Sequence, residues 1–384
     1  MQKKIIAFIL CVALVTSCAV ALASCNKSSD KDLIAIVTDI GDLNDGGFNQ
    51  NTYEGVKSYA EEHGLRYAYY HPNVDSDGTV TNSGREEAMR KAIADGAKII
   101  VAPGDLQKEA IKKVAKENPS VKFVYVDGTA IDDLQNVTAI SFKEEESGFI
   151  AGYSVAKEGF DNLGGTFGGG GTYAACNRFA YGYVQGIIAA TSGKRNVFVK
   201  ISFKYGENFN DSAELKAQMT NWYSEGVEVI FSCGGDMLKS VIEAAEEFSV
   251  EGEEGYTNEK HIIGVDVDQS SRSDRIITSA IKRLDEAVKH VLALYYGGEW
   301  DAKLANKTSN LGANENATGI PDNPWRFNTY TVAEYYDMYD SMKAGTFNPL
   351  SNVPEDCNDV IWWNERVADL NAEYGSYVVV NVEI

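Results

Sequence analysis

From residue 33 to residue 296, short apolar runs rich in β-branched residues alternate with stretches of helical periodicity. The spacing predicts strands over 33–38, 65–70, 98–102, 122–126, 137–141, 162–168, 196–200, 227–232, 261–265 and 276–280. It predicts helices over 52–63, 83–95, 107–118, 144–157, 175–192, 211–225, 238–248 and 282–296. Such alternation requires right-handed βαβ units around parallel sheets. The apolar runs lack a strict two-residue period, as expected where helices cover both sheet faces. The rhythm occurs twice, over about 32–138 and 141–258. The expected class is therefore α/β, with two doubly wound parallel-sheet lobes joined by a hinge. Residues 33–140 plus about 261–300 are assigned to the first lobe, because the chain reads as re-entering it at His261-Ile-Ile-Gly-Val-Asp266. Residues 141–260 plus about 301–384 form the second, with an irregular stretch over 300–328, a helix over 332–343 and a strand over 376–384.

The first 24 residues read as an export signal: Lys3 and Lys4, an apolar stretch over 5–20, then small residues. The ending Leu22-Ala23-Ser24-Cys25 resembles the bacterial lipobox, which implies acylation of Cys25 and a polar tether over 25–32. Each buried methylene contributes ~0.8 kcal/mol, so two or three acyl chains hold a protein to a membrane. Loss of the leader removes two lysines and no acid, moving the formal net charge from −21 to −23. That balance argues against nucleic acid and against a polybasic membrane contact. Three widely spaced body cysteines, Cys176, Cys233 and Cys357, fit neither a zinc site nor a disulfide framework. They read as small buried residues, with one disulfide among them left open. A body of some 350 residues exceeds one compact core and fits two lobes, which close around a ligand in the cleft between them.

The stretch Val37-Thr-Asp39-Ile-Gly-Asp42-Leu-Asn-Asp45-Gly-Gly-Phe48-Asn49-Gln50 lies where a buried strand ends and a helix begins. Ligands bind at that edge of an α/β sheet. Phe48 there is either a staple for the helix start or a stacking platform. A counterpart, Asn208-Phe209-Asn210-Asp211, precedes the helix predicted from 211, so each half offers one Phe-Asn dipeptide. Two lobes with one aromatic each can sandwich a planar ring, and base–aromatic stacking is worth ~1–3 kcal/mol per base. Asp266 at a strand end can accept two hydrogen bonds from vicinal hydroxyls, or serve as a cap or turn residue. Lys282, Asp127 and Asp105 share that placement, with a solvated lysine and plain turns as the alternatives. Several motifs fail. The glycine run 168–171 lacks the G-K-[ST] of a phosphate loop and reads as a tight turn. Asn73-x-Asp75-x-Asp77-Gly78 lacks the bidentate glutamate of a calcium loop. The four histidines show no ligand spacing, and no G-x-S-x-G occurs. The run Glu144-Glu145-Glu146 starts a helix, where the dipole favours negative charge. No metal, cofactor or catalytic role emerges.

These blocks together resemble the basic membrane protein family of bacterial lipoproteins, of the purine nucleoside receptor type. The first loop is similar to the family's V-T-D-x-G-x-x-x-D-x-S-F-N-Q, with Gly47 where Ser is common. Ser141-Phe-Lys-Glu-Glu-Glu-Ser-Gly-Phe-Ile-Ala-Gly152, Arg178-Phe-Ala-Tyr-Gly-Tyr-Val-Gln-Gly186, Asn208–Asp211, Gly264–Gln269 and Ser279–Arg283 match further blocks in order. The resemblance implies the type I periplasmic binding fold. Phe48 and Phe209 would stack on the two faces of a nucleobase, and Asn49, Asp45 and Asp127 would bond its edges. Asp266 and Lys282 would engage ribose hydroxyls, Asp39 would support them, and Gly234 would let backbone approach the ligand. The expected protein is a monomeric, lipid-anchored receptor on the extracytoplasmic face. It would bind a nucleoside, deliver it to a membrane ABC permease, and catalyse nothing. The alternatives are a ligand sensor, or a binding protein for a sugar or other small polar molecule.

Overall fold

The computed structural model describes residues 32–38, 43, 47–74, 80–193, 196–206, 209–248 and 259–383. The leader, Cys25, Asp39, Asp45, Asn208 and the calcium-loop look-alike at Asp75 and Asp77 lie outside the described residues.

Two α/β lobes are built on parallel sheets. The first lobe contains β1 (Leu33–Val37), α1 (Phe48–His63), β2 (Arg66–Tyr70), α2 (Asn82–Ala94), β3 (Ala97–Pro103), α3 (Lys108–Glu117), β4 (Lys122–Val126) and β5 (Val137–Phe142). The second contains α4 (Glu144–Glu158), β6 (Asn162–Phe167), α5 (Ala174–Ala190), β7 (Asn196–Ser202), α6 (Ala213–Ser224), β8 (Val229–Cys233), α7 (Met237–Phe248), β9 (His261–Asp266) and β10 (Ile276–Lys282). The remaining elements are α8 (Leu284–Tyr296), β11 (Thr308–Leu311), β12 (Thr318–Gly319), α9 (Val332–Lys343), α10 (Val360–Tyr374) and β13 (Tyr377–Glu383). The first sheet runs β11-β5-β4-β3-β1-β2 and the second β12-β10-β9-β8-β6-β7-β13. Within each sheet the first five strands of the half take the order 2-1-3-4-5, so the two halves repeat one topology. Their central strands are buried on both faces, which is why their sequences run apolar without alternating.

Two sequence expectations about lobe membership are corrected. Residues 261–282 do not return to the first lobe: β9 pairs in parallel with β8, and β10 with β9, in the second sheet. Periodicity identifies a strand but not its neighbour: β9 extends the second sheet by a βαβ step through α7, and β10 follows it through a helix-free turn segment. The chain returns only at α8, whose Leu284, Val288 and Val291 join the first lobe's core beside Val56 and Tyr59 of α1. β11 extends the first sheet beside β5, so residues 308–311 also depart from the second lobe to which 301–384 were assigned, and only β12 onward rejoins the second sheet by pairing with β10. The chain thus crosses between lobes after β5, after β10 and after β11. The stretch expected to be irregular, 300–328, contains both short strands of the last crossing.

The tightest packing is between α4 and α5. A Cβ on Gly182 would stand 2.1 Å from the Glu145 carbonyl oxygen, and one on Gly186 2.0 Å from that of Phe149. The crowding is mutual, for a Cβ on Gly148 would meet the Phe179 carbonyl oxygen at 2.3 Å. Replacing a helical glycine by alanine gains about 1 kcal/mol in propensity, whereas overpacking costs about 1–3 kcal/mol. Against backbone, which cannot swing aside, the steric cost wins. Gly182→Ala is therefore expected to lower the urea midpoint of unfolding; an unchanged or higher midpoint would contradict this packing argument.

Candidate functional site

The described candidate residues sit at the carboxyl ends of strands or in the segments that follow them. Asp127 follows β4, Asp266 ends β9, Lys282 ends β10, and Gly234 follows β8. Phe48 opens α1 after the β1 loop, and Phe209 precedes α6 after β7. Two surface hollows, one at Leu33, Arg66 and Asp95, the other at Asn196 and Tyr377, lie at the opposite, amino ends of strands.

Lys282 is the centre of the cluster. Its Nζ donates to Asp127 Oδ1 and Oδ2 at 3.1 and 3.0 Å. It stands 3.2 Å from Asp266 Oδ1 and 4.0 Å from Glu144 Oε1. The side chain is 3% exposed. The rings of Phe48, Phe179 and Phe142 surround the ammonium at 5.4, 5.5 and 5.7 Å to their centroids, within cation–π range. Burial works against the charge, but Asp127, Asp266 and Glu144 together outweigh it and hold the lysine's pKa above its ordinary value. Asp127 belongs to the first lobe and Lys282 to the second, so this ion pair spans the cleft near the crossings.

Glu144, the first residue of α4, is buried and accepts a hydrogen bond from Arg178 Nε at 2.6 Å. Burial raises its pKa against the pull of Lys282 and Arg178. Burial likewise raises that of Asp266, whose neighbour Lys282 pulls it down and whose neighbour Asp127 pushes it up. The acidic run is thus more than a complement to a helix dipole. Its third member, Glu146, accepts from Ala313 N at 2.5 Å and from Thr318 Oγ1 at 3.0 Å, fastening the last crossing to α4.

Three non-glycine residues of the site carry left-handed backbone: Asp127 (φ 65°), Phe209 (φ 62°) and Asp266 (φ 68°). That conformation costs an L-residue roughly 1–2 kcal/mol, and such strain gathers at ligand sites. Phe209 is seated in a cradle of glycines. A Cβ on Gly168 would stand 2.4 Å from its ring, one on Gly234 3.0 Å from Cδ1, and one on Gly235 3.2 Å from its Cβ. Gly234 was expected to admit a ligand. A Cβ there would also stand 2.9 Å from the Met237 sulfur, so the absence of a side chain at Gly234 makes room for Phe209. The glycine run is a turn, as anticipated, with Gly169, Gly170 and Gly171 all at positive φ.

Phe48 is half-buried and packs against the core around Ile34, Ile36 and Val56. It acts as a staple for α1 and at the same time as an aromatic wall beside Lys282. Asn49 is buried in the first turn of the helix. Sequence reasoning missed Glu144, Arg178, Phe142 and Phe179. The available signal was their position in two blocks that follow strand ends. It also missed Gln107, whose Nε2 donates to the Val37 carbonyl oxygen at 2.9 Å and secures the end of β1. No group of three or more His, Cys, Asp or Glu side chains able to hold a metal ion occurs among the described residues. Cys176, Cys233 and Cys357 are buried free thiols.

Residues 33–347 match the family described as ABC transporter substrate-binding protein PnrA-like. The chain is 31% identical over 311 residues to the ABC transporter nucleoside-binding protein BmpA of Lactococcus lactis subsp. cremoris (strain MG1363), covering 76% of this chain and 84% of that protein. It is 28% identical over 364 residues to basic membrane protein D of Borreliella burgdorferi (strain JD1), covering 93% and 96%. Among solved structures it resembles an ABC transporter system solute-binding protein from Aeropyrum pernix K1, at TM-score 0.69 and 19% identity over 89% of this chain and 99% of that one. A glucose-galactose binding protein from Geobacillus stearothermophilus shares the fold at TM-score 0.53 and 16% identity, covering 77% of this chain and all of that one. The architecture is the two-lobed, hinged α/β fold of periplasmic binding proteins. The chain belongs to the PnrA-like family of ABC transporter substrate-binding proteins, a non-catalytic class that serves importers.

Proposed function

We propose that this protein binds a nucleoside, with purine nucleosides preferred, and presents it to its importer's permease while anchored by lipid on Cys25. The observation that carries the reading is the pairing of aromatics with a buried acid–base cluster. Phe48 lies on the first lobe beside Lys282, Phe209 stands on the second in its glycine cradle, and carboxylates from both lobes converge on that lysine. A flat base suits the aromatics. Vicinal hydroxyls suit Asp266, one-fifth of whose side chain is exposed. A ligand without those hydroxyls leaves a desolvated acceptor unpaired, which is how such a site rejects it. Asp39 and Asp45 are proposed to complete the first jaw, and Asn49 and Asp127 to bear on the base edge. The nucleoside-binding relative from Lactococcus lactis supports the assignment. The lipobox-like Leu22–Cys25 supports the anchor.

Two measurements test this reading. Phe48→Ala and Phe209→Ala should each weaken guanosine, adenosine and inosine binding about ten-fold or more, on a stacking energy of ~1–3 kcal/mol per base. Unchanged affinity in both variants, by calorimetric titration, would sink the nucleoside assignment. The second measurement uses acidity. The ionised form of Asp266 accepts the hydroxyls, and its pKa is raised above the ordinary 3.8. Affinity should therefore fall as pH drops through a window lying above that value, and Asp266→Asn should flatten the profile. A wild-type affinity that stays constant from pH 7 to 4 would speak against the carboxylate–ribose contact.

A further inference from the structure

Tyr173 stands between the last glycine of the turn and α5, as the residue before the first helical position. It does not cap the helix with its side chain. Its ring meets Phe209 edge-on, with centroids 5.3 Å apart and planes at 76°. The turn is built to admit it: a Cβ on Gly169 would stand 2.1 Å from Tyr173 Cβ. The residue is half-buried, and its hydroxyl has no hydrogen-bond partner among the described residues. Charges from both lobes reach that phenol, Asp127 and Asp105 from the first and Asp266 from the second. Burial, with these carboxylates, pushes its pKa well above the ordinary tyrosine value, so the group is a neutral O–H donor at any physiological pH.

Solvent reaches that hydroxyl, so an acceptor atom of a ligand can take the place of water there. Among the described groups of the cleft, Lys282 pairs with Asp127 and Asp266, and Glu144 with Arg178, so Tyr173 adds a neutral donor beside these charges. We propose that Tyr173 is a ligand-binding and specificity residue: its ring forms a side wall perpendicular to Phe209, and its hydroxyl donates a hydrogen bond to an acceptor atom on the ligand held there. This rests on the nucleoside reading and adds to it a direct donor from the glycine turn. Every other contact proposed from the second lobe is an aromatic face, a carboxylate or an ammonium. A neutral hydroxyl is suited to a carbonyl oxygen or ring nitrogen, which neither carboxylate can satisfy. The site is thereby biased towards nucleosides that bear such an acceptor within reach of Tyr173.

Inosine titrated into the mature wild-type protein and into Tyr173→Phe and Tyr173→Leu tests the inference, with thermal midpoints measured in parallel. The phenylalanine variant keeps the edge contact with Phe209 and loses only the hydroxyl. It should bind inosine about five-fold more weakly, as expected for one hydrogen bond, with its melting midpoint unchanged. The leucine variant should lose more, because the aromatic wall goes too. Inosine binding by wild type with Tyr173→Phe within two-fold of it would overturn this inference and leave the nucleoside reading standing. Absence of inosine, guanosine and adenosine binding by the wild type would overturn both.

Discussion

One buried ammonium organises this molecule. Lys282 ends a strand of the second sheet, yet its closest partner, Asp127, directly follows a strand of the first. A lysine that is 3% exposed is tolerable only with its charge compensated, because removing an ion from water costs several kcal/mol even after relaxation. Compensation comes from three carboxylates in three settings: the end of β4, the end of β9 and the first turn of α4. Satisfying one lysine therefore fixes how a strand from each lobe and the first crossing helix stand to one another. The close α4–α5 contact extends that order, since Arg178 of α5 reaches Glu144 only because glycines let the two helix backbones approach.

The strand ends beside this lysine are also strained. Asp127 and Asp266 both adopt left-handed backbone, which aspartate tolerates better than most residues but does not prefer. With the ion pairs to Lys282 in place, that conformation turns both carboxylates toward one point. Phe209 is the harder case, being bulky and left-handed. Its carbonyl oxygen accepts from Asp236 N at 2.9 Å and its own N–H donates to the Gly206 carbonyl oxygen at 3.2 Å, so loops on both sides hold it. Rigid presentation of an aromatic face lowers the ordering cost a ligand must meet on binding.

Much of the fold was legible because a buried parallel strand has a plain signature. Leu33–Val37 is a continuous apolar run, Lys122–Val126 and Val229–Cys233 are apolar but for Lys122 and Ser232, and all three are strands buried on both faces. The helix patterns likewise located α4 and α9 within a residue at each end. Sheet membership was not legible, since the apolar run at His261–Asp266 suits either sheet equally and only hydrogen bonding to β8 decides. α1 begins at Phe48 rather than at 52, because polar Asn49, Gln50 and Asn51 mask a helical turn whose anchor is the aromatic itself. Among site residues, Asp127, Asp266 and Lys282 could be located by their position at strand ends. That they pair with one another across the lobes could not, since nothing in a one-dimensional pattern brings residues 127 and 282 together. Glu144 was visible as part of an acidic run and misjudged, because a helix dipole is sufficient reason for acids at that position.

The tail carries an implication of its own. Beyond residue 347, where the family match ends, the chain still adds α10 and β13, which pairs along its whole length with β7. On the way it clasps the glycine turn: Cys357 N donates to the Gly171 carbonyl oxygen at 2.8 Å, and Asn358 Nδ2 to that of Gly170 at 3.0 Å. Those two bonds are made by residues that the shared family pattern does not include. The turn that seats Phe209 is therefore held in part by chain lying 188 residues further on.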